Sequence, residues 1–209
     1  MTGVWVILCG VAVAGLLVAE YFDSQAGKWA TKPVAAAAFI AIAVAGRAWE
    51  TPYGLAVLTG LVLSMGGDIL LISRGASLAF QAGAASFLLG HVAYCAAFLL
   101  RGVDPQTVLL VGMAVGIVAV VILKWLGPLV PSEMRPLVVA YIAVISVMLS
   151  LAAGTFAGLG DVRILAGATL FYLSDLAVAR DRFLRPEFSN RIWGLPLYFA
   201  GQVLIALSV

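Results

Sequence analysis

The sequence predicts an all-α, polytopic membrane protein with eight transmembrane helices. Three observations carry that expectation. The 209 residues are 64% hydrophobic and 11% charged, with a mean hydropathy of +1.12; a soluble domain has roughly 45–50% apolar and 25% charged residues. The apolar residues form continuous runs, without the period-two alternation of β-barrel strands. At about 20 residues per crossing, the length holds up to eight helices with short loops. No room is left for a second, soluble domain, so residues 1–209 read as a single transmembrane domain. Disorder is excluded by the apolar content. A formal net charge of +2, with cations placed between apolar runs, argues against a nucleic-acid partner. Cys9 and Cys95 both fall inside apolar runs, so no disulfide framework is expected.

The first span, 4–19 (VWVILCGVAVAGLLVA), follows no basic leader and ends without a small-residue cleavage site. It reads as a retained helix rather than a signal peptide. The second, 33–46, is short, with room to extend back through Lys32. The remaining spans are expected at 52–73, 78–100, 106–125, 136–156, 162–179 and 193–209. Pro33, Pro52, Pro105, Pro136 and Pro196 fall near span starts, where a missing backbone N–H costs least. Eight crossings put both termini on one side. The other side collects Lys28, Lys32, Arg74, Lys124, Arg135, Arg180, Arg182, Arg185 and Arg191, against only Arg47, Arg101 and Arg163 opposite. The positive-inside rule makes the richer side cytoplasmic and both termini external. The compact loops suggest a bacterial inner-membrane protein.

Gly60 and Asp68 on span three recur as Gly167 and Asp175 on span seven, at an offset of 107 residues. Lys32-Pro33 and Arg135-Pro136 correspond at an offset of 103. A four-plus-four parallel repeat and chance in a Gly/Ala-rich chain both account for these matches.

Ionisable side chains deep in lipid cost at least about 2.5–3.5 kcal/mol, so they face a bundle interior or a wet cavity. Lys32, Asp68, His91 and Asp175 qualify, with Glu20 at the end of span one. Gly60, Ser64 and Asp68 share one helical face. Tyr172 shares a face with Asp175, with Ser174 beside them. Both aspartates sit at one depth, measured from Arg74 and Arg180. Carboxylates meeting in one cavity would supply a proton donor and a base; two separate salt bridges, Asp68 with Lys32 and Asp175 with an arginine, are the alternative. His91, the only histidine, is expected near the midplane with Tyr94 on its face, as a proton carrier, a substrate-orienting donor or a packing residue. Tyr198 and Gln202 share a face on span eight. One histidine with two aspartates is a meagre donor set for zinc, so no metal and no cofactor are expected. The polar segment ARDRFLRPEFSNR reads as cytoplasmic anchoring or as a cationic rim for a phosphate headgroup.

Lys32-Pro33, GLVLSMGGDILL at 60–71, FLLGHVAYCAAF at 87–98, FYLSDLAVARDRF at 171–183 and YFAGQVLI at 198–205 together resemble the YhhN/TMEM86 family of integral membrane proteins. The family's characterised animal members are lysoplasmalogenases. The resemblance implies eight helices and functional polar positions at Lys32, Asp68, His91, Tyr94, Ser174, Asp175 and Gln202. It also implies hydrolysis of the vinyl ether of a lysoplasmalogen, a single-chain membrane lipid. On that reading Asp68, Asp175 and His91 are catalytic, and Lys32, Ser64, Tyr94, Tyr172, Ser174, Tyr198 and Gln202 contact substrate. A small-molecule or lipid transporter with an intramembrane polar site is the rival class.

Overall fold

The computed structural model describes residues 2–72 and 77–209. Among the described residues the regular structure is helical. The long helices are α1 (Thr2–Tyr21), α2 (Gln25–Ala45), α3 (Pro52–Leu70), α4 (Ser77–Arg101), α5 (Pro105–Leu126), α6 (Arg135–Leu159), α7 (Val162–Phe183) and α8 (Phe188–Ala206). Seven of these, α1 to α7, are long and apolar enough to cross a membrane. The eighth, α8, has 19 residues and buries Asn190, Tyr198 and Gln202. Its neighbours are α1, α2, α3 and α7, so much of its surface faces protein and its mean hydropathy is correspondingly lower. By contrast, α5 packs chiefly on α6 and turns most of its side chains outward.

Local chemistry sets the helix ends. Thr51 accepts a hydrogen bond from the Gly54 amide at 3.0 Å, with Pro52 in the first turn of α3. Asp104 does the same for α5, accepting from the Thr107 amide at 2.7 Å, with Pro105 following. That bonding to Thr107 holds the Asp104 carboxyl below the usual carboxylate range. Gly160, at φ 75°, closes α6 in the left-handed conformation that a side chain would strain.

The start of α2 differs from the sequence expectation. The helix begins at Gln25, eight residues before the predicted 33, with Ser24 accepting from the Gly27 amide at 3.2 Å. Lys28 and Lys32 therefore lie on the helix, and burial with acidic partners removes the loop-like exposure their charges suggest. Pro33 lies inside α2, and Pro196 inside α8, because α8 also starts early, at Phe188. Pro52, Pro105 and Pro136 do occupy first turns. Arg74, used above to judge depth, lies outside the described residues. Because Ser24 satisfies an otherwise orphaned amide, Ser24→Ala is expected to cost about 1 kcal/mol, read as a lower midpoint of thermal unfolding in detergent.

Small residues set the closest helix approaches. At α7 and α8, a Cβ on Gly167 would stand 2.9 Å from the Gly201 carbonyl oxygen, and one on Gly201 would stand 2.8 Å from that of Gly167. Backbone thus meets backbone where α8 enters the bundle.

Candidate active site

Two polar clusters lie between the helices, each built on one of the predicted aspartates. Asp68, near the C-terminal end of α3, is buried. Lys32 of α2 reaches it, with Nζ 3.1 Å from Oδ1, and also donates to the Asp68 carbonyl oxygen at 3.2 Å. The Tyr198 hydroxyl of α8 donates to Asp68 Oδ2 at 2.6 Å. Gln202, one turn along α8, donates through Nε2 to the Tyr198 oxygen at 3.3 Å, and its Oε1 accepts from Tyr94 at 2.6 Å. A continuous chain of polar contacts therefore crosses four helices, and it provides the hydrogen bonds that a buried charge pair requires.

The second cluster centres on Asp175 of α7. Tyr141 of α6 donates to Asp175 Oδ2 at 3.0 Å. His91 Nε2 of α4 lies 3.7 Å from the same oxygen. That distance exceeds a formed hydrogen bond, and among the described residues neither buried ring nitrogen of His91 has a hydrogen-bond partner. The His91 ring is held between Tyr141 and Phe171, with centroids 5.0 and 4.5 Å away. Phe171 also packs on Tyr198 at 5.2 Å and so stands between the clusters.

Both aspartates line one cavity of about 600 Å³, within the 300–1,000 Å³ of small-molecule sites. Lys32, Tyr141, Tyr172, Ser174 and Tyr198 line it as well. Its apolar wall includes Ile122, Leu126, Val138, Ile142 and Ile145. Its polar end gathers Glu20, Lys28, Asp181, Arg182, Asn190 and Arg191. There Arg191 bridges Glu20 at 3.0 Å and Asp181 at 2.5 Å, while Lys28 meets Asp23 at 2.5 Å and Glu20 at 3.7 Å.

The other sequence-selected residues divide by position. His91, Tyr94, Gln202 and Ser64 are buried and stand behind the cavity wall. The Ser174 hydroxyl donates back to the Phe171 carbonyl oxygen at 2.7 Å, which commits it to its own helix. Among the described residues Asp175 meets tyrosine and histidine rather than an arginine. Among the described residues no three His, Cys, Asp or Glu side chains come together as metal donors.

Sequence reasoning missed Tyr141, Arg191 and Asn190 as individual site residues. Tyr141 is the one polar side chain in VVAYIAV, a weak signal in a chain rich in aromatics. A further regularity was also missed: His91 and Tyr198, the partners of Asp175 and Asp68, are themselves 107 residues apart.

The fold and this site define an integral, multi-span α-helical membrane protein with a buried, carboxylate-bearing cavity between its helices. The chain belongs to the YhhN family, whose sequence model matches residues 27–209. It is 31% identical over 174 residues to the Bos taurus protein named lysoplasmalogenase TMEM86A, covering 75% of this chain and 66% of that one. It is 35% identical over 150 residues to the Homo sapiens lysoplasmalogenase TMEM86B, covering 71% and 60% respectively. The chain thus spans slightly less than two thirds of the length of these curated relatives. No solved structure matches it.

Proposed function

We propose that this protein hydrolyses the vinyl ether of a lysoplasmalogen, releasing a fatty aldehyde and a glycerophospho-alcohol. The observation that carries the reading is the single cavity lined by both Asp68 and Asp175, with a charged end and an apolar wall. Such a cavity suits a single-chain amphiphile, with the headgroup at the charged end and the chain along the wall. The lysoplasmalogenase names of the TMEM86 relatives point the same way.

A vinyl ether is cleaved by acid. Protonation at the β-carbon gives an oxocarbenium ion, water adds, and the hemiacetal collapses. The site must supply a proton donor, a base for water and negative charge near the cation, and two buried carboxyl groups cover these needs. On this reading Asp68 and Asp175 are the catalytic pair, and His91, behind the cavity wall beside Asp175, serves them as a positioning group. Lys32, Ser64, Tyr94, Tyr172, Ser174, Tyr198 and Gln202 bind substrate or hold the catalytic side chains.

The wider architecture belongs to the same proposal. All eight helices cross the membrane as one domain, in a bacterial inner membrane, with both termini outside and the charged end of the cavity facing the cytoplasm. The cation distribution supports that orientation. A four-plus-four parallel repeat is supported by matching neighbours: α2–α3, α3–α4 and α8–α2 have counterparts in α6–α7, α7–α8 and α4–α6.

The test uses purified protein in mild detergent with lysoplasmenyl-ethanolamine, its saturated ether and its acyl ester. Aldehyde released from the vinyl ether alone is the expected result. Well-folded protein that turns over none of the three lipids would overturn the assignment and favour transport.

A further inference from the structure

We propose that the two aspartates perform different tasks, fixed by how their oxygens are held, and that Tyr141 is the positioning residue that sets the difference. The inference rests on the vinyl-ether reading above and assigns the roles within it.

Asp68 is engaged at both oxygens, Oδ1 by Lys32 and Oδ2 by Tyr198. Its side chain is 2% exposed. The contacts to Asp175 converge instead on Oδ2, where the Tyr141 hydroxyl donates at 3.0 Å and His91 Nε2 lies 3.7 Å away. Among the described residues Oδ1 of Asp175 takes neither a hydrogen bond nor an ion pair. The Asp175 side chain is 17% exposed and lines the cavity. A carboxyl anchored through one oxygen presents the other to a ligand in a fixed direction. One clamped at both is a stationary charge.

Tyr141 orients more than the carboxyl. Its ring stands edge-on to His91, with planes at 84°, and Phe171 packs on the same imidazole. A single side chain of α6 therefore fixes Asp175 and braces the histidine beside it.

In the reaction, the proton on Asp175 Oδ1 passes to the vinyl β-carbon. The π electrons form the new C–H bond, the ether oxygen stabilises the cation, and Asp175 is left as carboxylate. Water then adds to the oxocarbenium carbon and returns a proton to Asp175 Oδ1. The hemiacetal collapses as its C–O bond to the glycerol breaks. Its hydroxyl proton leaves and the glycerol oxygen gains one. One water is consumed and nothing is oxidised or reduced. Asp68 stays ionised throughout as the fixed negative charge near the cation, held in the cavity wall by Lys32 and Tyr198.

The experiment compares wild type with Tyr141→Phe, Asp175→Asn and Asp68→Asn, each as purified full chain. Tyr141→Phe is expected to lower kcat for lysoplasmenyl-ethanolamine roughly tenfold to hundredfold while leaving KM within about twofold. In infrared difference spectra taken across a pH titration without lipid, a carboxyl C=O band is expected to vanish in Asp175→Asn, persist in Asp68→Asn and shift in Tyr141→Phe. Unchanged kcat in Tyr141→Phe, or a rise confined to KM, would overturn the positioning role. Loss of the titrating band in Asp68→Asn instead would overturn the division of tasks. If wild type releases no aldehyde, the vinyl-ether reading fails, and the infrared comparison still decides which carboxyl exchanges protons.

Discussion

Asp175→Asn is expected to reduce aldehyde release by about 10²–10⁴-fold, the range attributed to a positioned general acid or base. The change keeps the shape of the side chain, and an amide oxygen can still accept from Tyr141, so the fold and the His91 stack should survive. What disappears is a group able to give up and regain a proton at the cavity surface. Turnover would be followed as aldehyde released per mole of protein, with thermal unfolding as the control for folding. Near-wild-type turnover from a well-folded variant would remove Asp175 from the chemistry and leave the cavity as a lipid-binding site.

The second large effect concerns stability. Lys32→Met should destabilise the protein by about 3–5 kcal/mol, because it strands the Asp68 carboxylate in a site with almost no solvent contact. Removing both charges, in Lys32→Met with Asp68→Asn, should restore most of that loss, since the deficit comes from the uncompensated charge rather than from a missing contact. The comparison is a double-mutant cycle on unfolding midpoints in one detergent. Equal loss in the single and double variants would mean that the lysine contributes through packing alone.

The two aspartates were legible from sequence because carboxylates are rare in apolar runs, and each rarity carries a physical cost that demands a partner. The identity of those partners was only half legible. An ion pair of Lys32 with Asp68 is legible in the sequence only as the alternative to a shared carboxylate cavity, and the structure holds both features. The arginine imagined for Asp175 gives way to Tyr141 and His91, because α6 and α4 approach α7 at the depth of the carboxyl. Nothing in the local pattern announces that approach. A tyrosine in an apolar helix looks the same whether it anchors at an interface or donates to a buried carboxylate. The early start of α2 was hidden for a related reason. Lys28 reads as a loop residue until Glu20 and Asp23 are seen beside it.

The aspartates are partnered across the midpoint of the chain. Asp68 of α3 takes its tyrosine from α8, and Asp175 of α7 faces a histidine from α4. A nick in the turn at Gly102, between α4 and α5, would yield two four-helix fragments, each carrying one aspartate and the cross-partner belonging to the other. Neither fragment holds both aspartates or the full set of contacts to either one. The halves are complementary, because the packing of α8 against α2 and α3, and of α4 against α6, is what brings each aspartate a partner from the other half.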